Sequence, residues 1–220
     1  MNTSKSTVAV IGLGNIGKAI ATNLVKGNQS VILASRDIEK TKSLAAQLGH
    51  LAIAKNIADA IGEAEVIIPA IYFNALKEFF ESYSKELEGK IIIDVSNPIA
   101  PDGNGGFKKI IGEKESSGKI LSELIPKNAK LIKAFGTLGV GSLLNSAFSN
   151  PDKKVLFYAS DSTNSNSQIE ALITSSGFVP FNVGGIDQSI KIEVFGDLHE
   201  FGALGKTVTL AEAKSKIAHS

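Results

Sequence analysis

Val8-Ala9-Val10-Ile11, running without a break into Gly12-Leu13-Gly14-Asn15-Ile16-Gly17, decides the fold. Four apolar residues ending on a glycine read as a buried strand. Ile16, Ala19, Ile20 and Leu24 then recur at helical spacing, and Gly27 is expected in a left-handed conformation where that helix stops. The glycine run is therefore the turn that carries a strand into a helix. In that position the first glycine permits the tight turn, the second lets backbone N–H groups approach a pyrophosphate, and the third lets helix and strand pack closely. The same triplet alone also describes a flexible turn. Its strand-and-helix setting predicts a dinucleotide site at Gly12, Gly14, Asn15, Ile16 and Gly17.

Val31 to Ala34 follows as the second strand, and the residues after it bear on which dinucleotide binds. A site for the unphosphorylated ribose places Asp or Glu there, whereas a 2′-phosphate calls for a cation and hydroxyl donors. Ser35-Arg36 stands at this point, with Lys40 one helical turn on. A guanidinium grips phosphate in bidentate fashion, and serine adds a neutral donor. Arg36 taken alone is also an ordinary solvated charge, and Asp37 can be read as a ribose acid. Asp37 lies past the strand end and is better used as a helix cap, which favours NADP(H).

Strand-like and helical patterns alternate through the first half, so the fold class is α/β: a Rossmann-type parallel sheet with helices on both faces. The expected elements are a helix over Ile38 to Leu48 closed by Gly49, and a strand over Leu51 to Ala54. A strand over Val66 to Ile71 follows, with Pro69 marking a bulge, an edge or an early end. Next come a helix over Phe73 to Leu87 with Phe73, Leu76, Phe80, Tyr83 and Leu87 on one face, and a strand over Lys90 to Val95. Asn97 to Ser116, rich in Gly, Pro, Asn and Lys, reads as a long ordered loop. Beyond it the pattern predicts a helix over Ser117 to Ile125 and a strand over Leu131 to Phe135. Strands over Val155 to Ala159 and Phe178 to Val183 flank a helix near Gln168 to Ser176, and a closing helix runs from Ile186 to about Ala203. Residues 1–150 are expected to form the NADP-binding Rossmann domain, and 151–220 a small strand-containing extension packed on it.

The 220 residues are 43% hydrophobic and 20% charged, enough for one sizeable core. A net charge of +1 provides no field for nucleic acid or an anionic membrane, so neither is an expected partner. Zero cysteines exclude disulfides and a cysteine nucleophile. No signal-peptide pattern and no apolar run of about 18 residues is present. A cytoplasmic protein is expected.

Open α/β sheets place ligands at the carboxyl ends of their strands. Ala70-Ile71-Tyr72, Ser96-Asn97-Pro98 and Phe135-Gly136-Thr137-Leu138 stand at such ends, and Ala70, Ile71, Ser96, Asn97, Pro98, Phe135, Gly136 and Leu138 are the expected nicotinamide-end contacts. Each segment is equally well described as a strand-ending turn. His50, His199 and His219 are isolated and have no metal-ligand spacing, Asp94 is placed to hold loop backbone, and no serine sits in a nucleophile elbow. No catalytic side chain and no metal site are therefore assigned. That fits hydride transfer, in which the cofactor does the chemistry.

The runs Gly12 to Gly17, Ala34-Ser35-Arg36-Asp37, Asp94 to Pro98, Gly105-Gly106-Phe107, Lys133 to Leu138 and Ala159-Ser160-Asp161 resemble the NADPH-dependent reductases of the deazaflavin coenzyme F420. They are also similar to the reductase domains of the STEAP metalloreductases. The likeness extends from about Val8 to Ala203. It implies NADPH across a Rossmann-like domain, a deazaflavin or flavin near the nicotinamide, Ser35-Arg36 as a 2′-phosphate clamp, and a homodimer. Gly136 departs from the Asn or His usual there, which implies a wider acceptor pocket, a pocket that admits a flavin or another compound, or a loss of efficient transfer. Two other functions stay open: an NADP-dependent dehydrogenase of a small hydroxyacid or imine, and a non-enzymatic NADPH sensor.

Overall fold

The computed structural model describes residues 5–218; His219 lies outside them. The chain runs β1 (Val8–Ile11), α1 (Asn15–Lys26), β2 (Val31–Ala34), α2 (Ile38–Leu48), β3 (Ala52–Ala54), α3 (Ile57–Glu63), β4 (Val66–Pro69), α4 (Phe73–Ser82) and β5 (Ile91–Asp94). Strands β6 (Ile99–Pro101) and β7 (Phe107–Lys109) form a small antiparallel hairpin, followed by α5 (Ser117–Ser122), β8 (Lys130–Ala134) and α6 (Val140–Asn145). The remainder is β9 (Val155–Ser160), α7 (Thr163–Ser175), β10 (Val179–Asn182), a 3₁₀ helix (Ile186–Ile192) and α8 (Leu210–Ala218).

One sheet carries the order β10-β9-β8-β5-β4-β1-β2-β3. From β8 to β3 every pairing is parallel, with Val8 opposite both Val31 and Val66; β9 joins β8 antiparallel and β10 follows β9. The chain leaves β1 for β2 and β3 on one side, then crosses back to β4 on the other. The carboxyl ends of β1 and β4 therefore flank the switch point, where a doubly wound sheet opens a crevice.

Strand residues alternate between two main cores, with a third, smaller cluster around Val155, Phe157 and Ile192 beside β9. Val8, Val10, Val31 and Leu33 pack under α1 and α7 with Ile20, Leu24, Ile169 and Leu172. Ala9, Ile11 and Ile67 pack under α3 and α4 with Ile61, Leu76 and Phe80. Helices thus cover both faces, and each fully buried Leu, Ile or Phe stabilises the fold by about 1.5–3 kcal/mol. The helix expected over Phe73 to Leu87 stops at Ser82, but its apolar residues share one core: Leu76 and Phe80 are buried, Phe73 and Tyr83 pack against the same cluster, and Leu87 joins it from the turns beyond the helix.

Several expectations are corrected. Residues 97–116 contain the β6–β7 hairpin rather than a loop alone. Residues 186–203 are a 3₁₀ helix followed by turns, not one helix: Gly196 lies so close to Ile190 O, and Gly202 to Gly196 O, that a Cβ would stand at 2.3 and 1.9 Å. The chain doubles back on itself there, which only glycines allow. Gly27 has φ −83°, and Asn28 at φ 62° makes the left-handed turn. Gly27 is small because Ser175 O of α7 would lie 1.6 Å from its Cβ. The strand at Val66 ends early, at Pro69, and the chain adds α3, α6 and α8 to the expected elements. Among the described residues, no helix is long and apolar enough to cross a membrane.

Candidate dinucleotide site

The three glycines of the first turn do three different things. Gly12 has φ +91°, its N–H donates to Ala34 O at 2.8 Å, and a Cβ there would lie 2.6 Å from Ala70 O. Gly17 is buried, and its Cβ would stand 1.9 Å from Gly12 O, so turn and helix touch only because both lack side chains. Gly14 is exposed, with nothing within 4 Å of a Cβ. It is the N-cap of α1, which has neither a side-chain cap nor an acidic residue in its first turn. Uncapped first-turn N–H groups and the positive end of the helix dipole make such a terminus an anion site. Asn15 is exposed beside it, and Ile16 is half-buried against the core. The donor set and the open space fit a pyrophosphate.

At the end of β2 the polar groups are mostly committed. Ser35 Oγ is 2.8 Å from Thr41 Oγ1 and 3.0 Å from Asp37 O. Asp37 caps α2 by accepting from Lys40 N at 3.1 Å, and that N–H, helped by the Lys40 ammonium, holds its carboxyl below the usual range despite some desolvation. Lys40 Nζ answers Asp37 at 3.3 Å. Asp37 is thus used as the cap that its position suggested. Arg36 is exposed and, among the described residues, makes neither an ion pair nor a hydrogen bond.

The ends of β4, β5 and β8 are built more tightly. Ala70 and Ile71 press on Gly12, while Tyr72 is 87% exposed. Asp94 is fully buried; one oxygen accepts from Ser96 N at 2.8 Å, as expected of a residue holding loop backbone. Its other oxygen takes Lys133 Nζ at 2.6 Å, and that ammonium also reaches Ser96 O at 2.5 Å and Ser117 Oγ at 2.7 Å. All three ammonium donors are therefore used. Asn97 Nδ2 donates to Gly136 O at 2.9 Å, and Asn97 Oδ1 accepts from Val194 N at 2.7 Å. Ser96, Asn97, Phe135 and Gly136 are thereby brought together, with Pro98 and Leu138 buried beside them. Phe135 is buried at φ 62°, a strained conformation for a large side chain, and Ser96 Oγ and Thr137 Oγ1 are buried without partners.

The C-terminal segment straps these turns together with residues that local sequence signals did not reveal. Gly136 O is also 2.9 Å from His199 Nε2, and His199 Nδ1 accepts from Phe201 N at 2.9 Å. This pair of contacts assigns the neutral Nε2–H tautomer, and burial pushes the imidazole below its ordinary pKa. Glu200 accepts from Gly139 N and, at 2.5 Å, from Ser142 Oγ. Glu193, also buried, accepts from Ser117 N at 2.9 Å and Gly118 N at 3.0 Å. Next to Val194, a cavity of about 440 Å³ opens between Lys109 of the hairpin and Lys191, Phe195 and Asp197. At Gly136 a Cβ would stand 2.9 Å from Val95 O, so this turn packs closely on the chain just past β5.

Residues 7–98 match the family described as NADP oxidoreductase, coenzyme F420-dependent. The chain is similar to metalloreductase STEAP3 of Rattus norvegicus, 24% identical over 84% of this chain and 35% of that protein. It is also similar to the F420-dependent NADP reductase of Methanothermobacter marburgensis, 27% identical over 63% of this chain and 66% of the reductase. The chain thus spans about a third and just under two thirds of these two relatives. Among solved structures, a hypothetical protein of Sinorhizobium meliloti superposes with a TM-score of 0.80 at 27% identity, covering 93% of this chain and 95% of the other.

Proposed function

From the match of residues 7–98 to the NADP oxidoreductase, coenzyme F420-dependent family, we propose that this protein binds NADPH and exchanges hydride with a deazaflavin or flavin. The observation that carries the reading is the Arg36 guanidinium, unpartnered among the described residues, just past the end of β2, whose last residue pairs with the residue before the glycine turn into the bare N-terminus of α1. In this reading the N–H groups at Gly14, Asn15 and Ile16 hold the pyrophosphate, with Gly12 and Gly17 shaping the turn. Ser35, Arg36 and Lys40 hold the 2′-phosphate. Ala70, Ile71, Ser96, Asn97, Pro98, Phe135, Gly136 and Leu138 surround the nicotinamide. Bound there, the coenzyme supplies the hydride; the protein orients it and keeps water away. Asn97 acts by fixing the Gly136 turn, since both of its amide ends are used within the protein. The cavity beside Val194 and Phe195 is the place for the acceptor ring, and a homodimer is part of the proposal.

A hydroxyacid or imine dehydrogenase that relies on a lysine acid is less well supported, because Lys133 is buried with every donor occupied. The test is a pair of titrations, NADPH and NADH, on wild type and Arg36→Ala. A selective NADPH loss of about 1–3 kcal/mol is expected for a charge-assisted contact. Equal losses for the two coenzymes retire the clamp. Stopped-flow mixing of the NADPH complex with a deazaflavin, a flavin, a keto acid and an imine then identifies the acceptor by loss of NADPH absorbance.

A further inference from the structure

We propose that neutral His199 is a positioning residue for the nicotinamide end of the site, acting through the Gly136 carbonyl, and that its protonation weakens coenzyme binding. The proposal rests on the reading that places the nicotinamide at the ends of β5 and β8.

The two ring nitrogens play opposite parts. Nε2–H donates to Gly136 O, and bare Nδ1 accepts the Phe201 N–H, both at 2.9 Å. Only the neutral ring does both. A proton on Nδ1 would face the Phe201 N–H, donor against donor. His199 is 1% exposed, so water does not relieve that conflict. The charged groups acting on the ring oppose each other: Glu200 on its own segment favours a proton, and Lys133 of β8, itself paired with Asp94, disfavours one.

The Gly136 peptide needs holding. Phe135 before it is in the left-handed region, and a glycine resists rotation less than any other residue. Two bonds converge on its carbonyl, one from Asn97 and one from His199. Loss of the imidazole contact leaves that carbonyl to Asn97 alone and, through Phe201 and Glu200, loosens the strap over Gly139 and Ser142.

His199→Gln retains one donor and one acceptor without titrating, whereas His199→Phe retains the ring and neither. NADPH affinity is measured by fluorescence from pH 5 to 8 on wild type and both variants, with circular dichroism to confirm folding. The coenzyme's own 2′-phosphate titrates near pH 6 in every case, so the readout is each protein relative to the Gln variant. At pH 8 His199→Phe should bind at least about tenfold more weakly than wild type, and His199→Gln should recover most of that loss. As pH falls below the ordinary imidazole value of 6.5, the ratio of wild-type to Gln-variant Kd should climb, by up to about tenfold per pH unit, the limit for one linked proton. A ratio that stays flat overturns the proposal, as does a folded Phe variant that binds like wild type at pH 8. If that variant does not fold, the pH ratio decides alone. A wild type that never binds NADPH overturns the functional reading and this inference with it; binding with a flat ratio overturns only the inference.

Discussion

The turn between β1 and α1 and the turns after β5 and β8 solve opposite problems. At Gly14 the protein leaves space, unpaired N–H groups and a helix terminus with no counter-charge. At Ser96, Asn97 and Gly136 it fills the space and commits nearly every polar group to another part of the chain. Under the proposed function the first region binds by being unfinished, so few side chains are needed. The second, in the same reading, orients by being over-determined, and it draws on residues far apart in sequence.

Substitutions can break this contrast, and the largest effect is expected in the filled region. Lys133→Met strands a fully buried Asp94 carboxylate, which should cost about 3–5 kcal/mol in urea unfolding. Adding Asp94→Asn should return part of that stability, and a single variant as stable as wild type would mean that the pair is not buried. Next come the glycines. Gly17→Ala should lose about 1–3 kcal/mol, because its Cβ strikes the Gly12 carbonyl. Gly14→Ala should unfold within about 0.5 kcal/mol of wild type while weakening NADPH at least tenfold by titration. Equal stability losses at the two positions would erase the contrast between them. Asn97→Ala deprives Val194 N–H of its acceptor, for about 1–2 kcal/mol by thermal denaturation, with Gly136 O still held by His199.

The smallest effect is a slope against pH. The folded His199 titrates below its ordinary 6.5, so the unfolded chain binds the additional proton between those two values. Its contribution is therefore fully present above pH 6.5 and declines as pH falls below it. Urea midpoints measured from pH 8 to pH 5 should show this decline in wild type and a shallower one in His199→Gln.

The contrast also explains what was legible in the amino-acid order. Glycine spacing, the Asp37 cap and Ser35-Arg36 are local signals, and their elements lie where the pattern put them. The segments after β4, β5 and β8 were identifiable as strand ends, but their partners were not: Asn97 reaches Val194, and Gly136 reaches His199 across 63 positions. An isolated histidine carries no sign of such a contact. Helix α6 buries only Leu143, too little for a periodic pattern, and glycine-dependent folding back near Gly196 and Gly202 disguised a chain of turns as a continuous helix. The order of the outer strands was equally hidden, because nothing local shows that β9 runs against β8.

The contact of Gly27 with Ser175 O, taken with the eight-stranded sheet, has a mechanical consequence. The first and last parts of the chain are stitched at the backbone on one face of the sheet and share one hydrogen-bonded floor, so a clamshell opening would have to tear strands apart. The strap from Glu193 to Phe201 is fastened differently, by a few side chains and the Glu200 N–H to Thr137 O bond rather than by a ladder of main-chain bonds.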